Sequence, residues 1–532
     1  MTRFVLLGLD GAEPSLVEKW MDQGFLPNLS RLRQGGCYMP LASTTPPASF
    51  PAWTTCVTGV NPGRHGIFDF TEITSADGAK PALRFVNSTF RKAQALWNIL
   101  SDAGKRVCVL GVPGTYPPEK VNGCMVSGFD SPVCGKLDRS FVYPPGLYGK
   151  VRSWRYNDFD ETRIQTGWHQ KALDRILRKI DDKQRIAINL LQRENWDFFM
   201  AVFGESDAVA HHFWLFADPQ SPRYVPGPHA DAVRRVYQRL DSAVGALVEA
   251  AGPESVVAVV SDHGSGGVGT GVLHINNWLA EKGCLRFSSR RDRPSARPGA
   301  DRGGGSLKRA ALRAVPQNLR GALFRRFTGI AAVAESGARF GGIDWRRTRA
   351  WSEELSYFPS VRIGNVAPED RGRFQEELCA ELEKWSPVKK AWPRQQLYDG
   401  PFVANAPDIV LELNLENRYS YSCLRSRGGP PFTRLEPNAW FGAKGGALAG
   451  NHRPTGVCFL SEPVTAGFAS IQDIAPTVLA CLDVPAPPVD GVPLTGRGRS
   501  GSYTAPDAIE AAYSPEQQRA VERRLRALGY LE

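Results

Sequence analysis

The sequence predicts an α/β protein whose mostly parallel central sheet lies between layers of helices, and three observations predict it. Residues 4–9 (FVLLGL), 196–203 (WDFFMAVF) and 256–260 (VVAVV) are near-continuous apolar runs, the pattern of strands buried on both faces. Helix-period patterns separate these runs, as the crossovers between parallel strands require. Each run delivers a carboxylate beyond its C-terminal end: Asp10, Asp207 and Asp262. Ligands of open α/β sheets bind outside the carboxyl ends of the strands, so three acids at one such edge mark a place for chemistry.

Taken in order, the first strand ends in Asp10-Gly11, and helices are predicted over residues 14–23 and 26–34. A short helix then starts at Ser49, inside the Gly/Pro-framed stretch STTPPASFPAWTTCVTGVNPGRHGIFDF of residues 43–70. Ser49 reads as an N-cap, with Pro51 in the first turn and Gly59 as the C-terminal stop. The N–H groups of such a terminus carry partial positive charge and draw anions such as phosphate. A helix over 93–103 and a strand over 107–112 form a further unit, while residues 115–165, rich in Gly, Pro and aromatics, read as irregular. A long helix over 168–194 feeds the second acid-bearing strand, and one over 229–251 feeds the third. Residues 286–344 interrupt the pattern with RFSSRRDRPSARPGADRGGG and a basic amphipathic stretch over 307–327, expected to be a partly disordered or capping insertion. Regular α/β alternation is expected to resume at 349–351, with a helix over 371–384, strands over 409–413 and 456–460, and a helix over 471–482 before the Asp490-Gly491 loop. A linker over 496–513 and a surface helix over 515–528 close the chain. The expected organisation is a core in two parts, 1–285 and 345–495, an insertion, 286–344, and a tail, 496–532.

At 532 residues, with 42% hydrophobic and 22% charged residues, the composition is that of a soluble globular protein with a large core. No apolar run has the length of a membrane span, and a strand begins almost at once, so neither a signal peptide nor export is expected and the cytoplasm is the expected location. The ten cysteines stand singly without a CxxC pair, so neither a cysteine zinc site nor a dense disulfide framework is suggested. The formal net charge of +11 has one source: residues 286–349 hold sixteen Lys/Arg against four Asp/Glu.

The residues with chemical potential gather near the acid-bearing strand ends. Asp207 and His211, four apart, face the same way on a helical turn and can share a metal ion. Asp262 and His263 sit on the link after a strand, Asp10 offers another hard oxygen, and His452 lies in the glycine-rich GGALAGNHRPTG. Singly, each has a plain structural role as a cap, turn anchor or hydrogen-bonded histidine. Jointly they form a mixed His/Asp set without thiolate, which suits Zn²⁺ with Mn²⁺ as competitor. His65, His169, His212, His229 and His274 lack such placement and are expected to be structural or at the surface.

The ordered set LGLDGA, TPPASFPAWTTCVTGVNPGRHGIFDF, SDAVAHHFW, VVSDHGSGG, and GNHRPTG with IQDIAPTVLACLDVPAPPVDGVPL resembles the type I phosphodiesterase/nucleotide pyrophosphatase family of the alkaline phosphatase superfamily, over the first strand to about residue 495. The resemblance implies an alkaline phosphatase-like three-layer α/β/α sandwich, with residues 286–344 as an inserted basic cap segment. It implies two divalent ions, one held by Asp207, His211 and His452, the other by Asp10, Asp262 and His263 with Ser49 facing it. Two such ions can clamp the oxygens of an in-line displacement and activate the serine hydroxyl, so hydrolysis through a phosphoseryl intermediate is the implied mechanism. Phosphodiesters or nucleotide pyrophosphates are the implied substrates. Ser49 stands where the family often has threonine, and Ala52 where nucleotide pyrophosphatases commonly have an asparagine that contacts phosphate.

The same residues bear on other readings. A sulfatase needs an arginine after its nucleophile motif, and Ser49-Phe50-Pro51-Ala52-Trp53 has none. A phosphomonoesterase or a head-group phosphotransferase could use the same metals and nucleophile. Lys444 and Arg453, near His452, could neutralise phosphate or serve the surface. No specific nucleic acid partner is expected, and the basic segment 286–344 reads first as a solvated insertion, with contact to anionic lipid as its alternative.

Overall fold

The computed structural model describes residues 3–74, 80–128, 139–153, 168–288, 340–436, 448–465 and 467–496. The amphipathic stretch expected over 307–327, the tail beyond 496 and Lys444 lie outside them. Among the described residues no helix is long and apolar enough to cross a membrane.

A nine-stranded sheet organises these residues. Its strands run, from one edge to the other, Ala469–Ser470, Cys37–Ala42, Thr455–Leu460, Val256–Val260, Phe4–Leu9, Phe198–Phe203, Val107–Leu110, Gly123–Val126 and Val142–Tyr143. The three acid-bearing strands are adjacent and parallel, with Phe4 opposite both Phe198 and Val256. Phe4–Leu9 is therefore central, and all six of its residues are buried, as a strand covered on both faces must be. Side-chain alternation divides its contacts between two cores. Val5, Leu7 and Leu9 join Phe199 and Phe203 against the helices His169–Leu191 and Ala232–Ala251. Phe4 and Leu6 join Met200, Trp53 and Val478 on the other face, where the helices Ser49–Thr58 and Ile474–Cys481 pack. The result is helix, sheet, helix: the three layers the sequence predicts.

Gly8 shows how tightly this arrangement is fitted. A Cβ there would collide with the Trp53 ring at Cη2 and stand 2.8 Å from Val202 Cγ2. Gly8→Ala is expected to destabilise the fold by about 1–3 kcal/mol, the cost of overpacking a close-packed core. Thermal or denaturant unfolding checks this; an unchanged midpoint would mean that Trp53 moves freely.

Three features of the sheets go beyond the sequence reading. Gly123–Val126 and Val142–Tyr143 are sheet strands inside the segment read as irregular, too short to show a period. The segment after residue 349 does not simply resume the central sheet. Ala350–Trp351, Ser360–Ile363, Ile409–Leu413 and Val388–Pro393 form their own four-stranded antiparallel sheet, which shares a core with the helix Pro368–Glu383. A third sheet forms where Gly264–Leu273 pairs with Ser420–Cys423, Phe432–Arg434 and Gly450–Arg453.

Candidate metal centre

The parallel strands end at one edge of the sheet, and their register puts Asp10, Asp207 and the Asp262-His263 link side by side. Asp10 leaves its strand with its N–H donated to Phe203 O at 2.9 Å. The helix Glu205–Ala217 starts just beyond Phe198–Phe203 and carries Asp207 in its first turn and His211 one turn on, as the spacing predicts. Asp262 and His263 occupy the turn between Val256–Val260 and Gly264–Leu273. His452 arrives on the strand Gly450–Arg453, whose antiparallel pairing sets it opposite Ser265 and so beside His263.

All seven residues picked out in the sequence meet here. Asp10, Asp262 and His263 form one group and Asp207, His211 and His452 a second; within each, the donor atoms lie within 4.8 Å of one another. The His263 and His452 rings stack with centroids 3.9 Å apart, so the two groups adjoin. Ser49 Oγ sits 3.2 Å from His263 Nε2 and 3.4 Å from Asp10 Oδ1, on the side of the first group.

Ser49 is not the N-cap that the sequence suggested. The cap is Ala48, in extended backbone and without a side-chain bond, and Ser49 is the first helical residue. Its hydroxyl is therefore not spent on the helix backbone and turns to the carboxylate and imidazole. Gly59 terminates the helix as predicted, at φ 72°, donating its N–H to Thr55 O.

Backbone carbonyls settle the histidine tautomers. His211 Nδ1 is 2.8 Å from Gly450 O, His263 Nδ1 is 2.9 Å from Gly264 O, and His452 Nδ1 is 2.7 Å from Pro47 O. A carbonyl only accepts, so each Nδ1 carries a proton and each Nε2 turns inward, the atom whose lone pair would meet an ion. His211 Nε2 and His452 Nε2 are 3.2 Å apart, and both face Asp207 Oδ1, at 3.1 and 3.5 Å. His263 Nε2 faces Asp10 Oδ1 at 3.5 Å and Asp262 Oδ2 at 3.4 Å.

The carboxylates are oriented in the same manner. Trp53 Nε1 donates to Asp10 Oδ2 at 3.0 Å and the Gly11 N–H donates to Asp262 Oδ1 at 3.1 Å, which leaves Asp10 Oδ1 and Asp262 Oδ2 aimed into the site. Three serines tie the strand ends together: Ser206 Oγ donates to Asp10 O at 2.6 Å, Ser265 Oγ to Gly11 O at 2.7 Å, and Ser261 Oγ to His263 O at 2.5 Å.

The electrostatics register the crowding of like groups. Burial, reinforced by Asp207, raises Asp10 to about 6, and burial with Asp10 nearby raises Asp262 well above the carboxylate range. Burial would also raise Asp207, but His211, His452 and His263 outweigh it and hold this carboxyl below its ordinary value. Burial, with His263 adjacent, lowers His452. Among the described residues Asp207 Oδ1 and Asp262 Oδ2 are buried without a hydrogen-bond partner. Inward lone pairs, clustered carboxylates and orphaned oxygens are what divalent cations with N/O coordination resolve, so the donor set fits such ions. Trp53→Phe, which removes the N–H held against Asp10, is expected to weaken ion binding about 10- to 100-fold; metal competition titration measures it, and unchanged affinity would free Asp10 of this support.

Trp53, Gly11 and the serines escaped the sequence reading, for their partners are remote in the chain. Arg453 is engaged locally, its guanidinium bonding Ser420 Oγ and the carbonyls of Gly267 and Arg418, the latter two at 3.4 and 2.9 Å.

Sheet order, layers and edge-bound donor groups together match an alkaline phosphatase-like α/β/α scaffold. The pattern of the type I phosphodiesterase / nucleotide pyrophosphatase family matches residues 4–412, and the chain belongs to that family, within the metal-dependent alkaline phosphatase superfamily. It is an enzyme of the phosphodiesterase/pyrophosphatase hydrolase type. A phosphonoacetate hydrolase from Sinorhizobium meliloti 1021, solved in complex with phosphonoformate, is similar in fold at TM-score 0.50 and 14% identity, covering 91% of this chain and 95% of that one. Murine ectonucleotide pyrophosphatase / phosphodiesterase 5 aligns at TM-score 0.49 and 11% identity, over 92% of this chain and 97% of its own. No curated protein matches the chain in sequence.

Proposed function

We propose that this chain hydrolyses phosphodiester or nucleotide pyrophosphate bonds with Ser49 as nucleophile, at a centre for two divalent ions. The observation that carries the reading is the placement of Ser49 Oγ within 3.4 Å of both Asp10 Oδ1 and His263 Nε2, at the start of a helix and at the rim of the six-donor set. Asp10, Asp262 and His263 would hold the ion nearer Ser49; Asp207, His211 and His452 would hold the other, with Zn²⁺ favoured by the N/O donors and Mn²⁺ as competitor. When bound, such ions supply the positive charge that lowers the pKa of an adjacent hydroxyl and steadies phosphate oxygens in an in-line displacement.

The protein's own groups do the rest. Ser49 Oγ forms the bond to phosphorus as the bond to the leaving oxygen breaks, the hydroxyl proton ending on the leaving group, and the phosphoseryl ester that results keeps the substrate's remaining ester group; water then displaces Ser49, restoring its hydroxyl and releasing a phosphomonoester. The Ser49 and Phe50 N–H groups at the start of the Ser49–Thr58 helix have no acceptor within the helix and favour the phosphate charge at its N-terminus; Pro51 has no N–H, and that of Ala52 is donated to Ala48 O. Ala52 is fully buried and brings no polar group to a phosphate oxygen, so recognition of the remaining substrate falls to other residues.

The test is a side-by-side assay of purified protein on a chromogenic phosphodiester, the corresponding monoester and a nucleotide pyrophosphate, each with and without added Zn²⁺ or Mn²⁺. Metal-dependent cleavage of the diester or pyrophosphate is the expected result. Preference for the monoester would keep the site and overturn the substrate class.

A further inference from the structure

Behind the candidate metal centre, on the face of the sheet covered by the helix His169–Leu191, lies a buried group of charges for which the reaction has no direct use. Glu205, the first residue of the helix that carries Asp207 and His211, has a side chain only 1% exposed. Lys179 and Lys183, one helical turn apart on His169–Leu191, both reach it: Lys183 Nζ is 3.4 Å from Glu205 Oε2 and Lys179 Nζ 3.5 Å from Oε1. Lys183 also donates to Val202 O at 2.7 Å and lies 4.9 Å from the centre of the Phe203 ring. One ammonium thus grips both the end of the strand Phe198–Phe203 and the start of the following helix, across Gly204.

Such a cluster is costly to bury, and well-packed apolar side chains commonly give equal stability. What it supplies that apolar packing does not is directional: hydrogen-bond geometry that fixes the helix start against the strand end, and one cation in excess of Glu205 behind the carboxylates. Asp207 lies two residues beyond Glu205, and His211 follows on the same rigid helix, so any rotation of this first turn moves both donors together. Asp10, Asp262 and His263 sit on other elements, and their side chains are oriented by Trp53, Gly11 and Gly264; from this helix Ser206 reaches the Asp10 backbone carbonyl and not its carboxylate.

We propose that Lys183, Lys179 and Glu205 are positioning residues that set the Asp207, His211 and His452 group, and that group selectively, for its divalent ion. The inference rests on the two-ion reading of the site. It is tested on the full chain by stepwise Zn²⁺ titration against a chromophoric chelator and by the visible spectrum of the Co²⁺-substituted protein, with His452→Ala marking which binding step belongs to this group. Glu205→Gln and Lys183→Met are expected to weaken that step about 10- to 100-fold, to change the cobalt spectrum, and to leave the other step in place. Lys179, at the outer side of the cluster and 20% exposed, gives a milder variant: Lys179→Met is expected to weaken the same step by less, and it decides the matter if Lys183→Met does not fold. Folded variants that take up two ions with wild-type affinity and an unchanged cobalt spectrum would overturn the positioning role while the two-ion reading stands. A wild-type protein that binds no ion would overturn both.

Discussion

Ser49→Ala is expected to reduce turnover on every substrate the enzyme accepts by on the order of 10⁴- to 10⁶-fold, the range seen when one member of a nucleophilic unit is lost. The fold should hardly notice. Ser49 makes no capping bond, the cap being Ala48, and alanine is at least as good a helix former at the first helical position. A change of about 1 kcal/mol in unfolding free energy is therefore expected, from the lost contacts to His263 and Asp10 alone. Metal stoichiometry should also be kept, because Asp10, Asp262 and His263 retain their orientation through Trp53, Gly11 and Gly264. The combination is diagnostic: steady-state rates, a melting curve and metal analysis on one preparation separate a missing nucleophile from a missing ion and from a missing fold. Ser49→Thr, which preserves the hydroxyl, is expected to retain turnover. Near wild-type rates for Ser49→Ala would take Ser49 out of the nucleophile role, and loss of bound metal would recast it as a ligand.

What the sequence disclosed and what it hid divide along the range of the interactions. The strands at Phe4, Phe198 and Val256 were legible because burial on both faces leaves an unbroken apolar run, and each acid follows its strand within a few residues. Asp207 and His211 were legible because a helix returns side chains to one face after four residues. His452 could be singled out, but not its neighbour, since its position depends on pairing with a strand that begins almost two hundred residues earlier. The contacts that aim the donors, from Trp53 to Asp10 and from Gly11 to Asp262, span 43 and 251 residues and leave no periodic trace. The Ser49 cap was misplaced by one residue because Ala48 fills the position through backbone conformation alone, and propensity favours a hydroxyl there. The strand Ile409–Leu413 was legible but its sheet was not, because an apolar strand looks the same in either; only its pairing with Ser360–Ile363 and Val388–Pro393 sets it in a separate antiparallel sheet.

Removing divalent ions should produce the second large effect, and on two properties together. Dialysis against a strong chelator is expected to abolish turnover of the wild-type enzyme and to lower its melting temperature; readdition of Zn²⁺ or Mn²⁺ should restore both. The physical basis is the donor set itself. Asp10, Asp207 and Asp262 lie close enough to perturb one another, His211 and His452 bring their Nε2 atoms within 3.2 Å, and the burial of Asp207 Oδ1 and Asp262 Oδ2 is uncompensated by hydrogen bonds among the described residues. A bound cation converts each of these costs into an attraction, and because the unfolded chain disperses the donors, that gain stabilises only the folded state. Ligand linkage sets the scale: free ion at about 1,000 times its dissociation constant stabilises the fold by about 4 kcal/mol per site. Metal content by elemental analysis, thermal unfolding and turnover, followed through removal and readdition, should move in parallel. Asp262→Asn should lower ion affinity at the Ser49 side, since an amide there keeps the bond from the Gly11 N–H and loses the charge. Full turnover with ions shown by analysis to be absent would end the two-ion reading. A restored melting temperature without restored turnover would leave the ions as structural and take them out of the catalytic role.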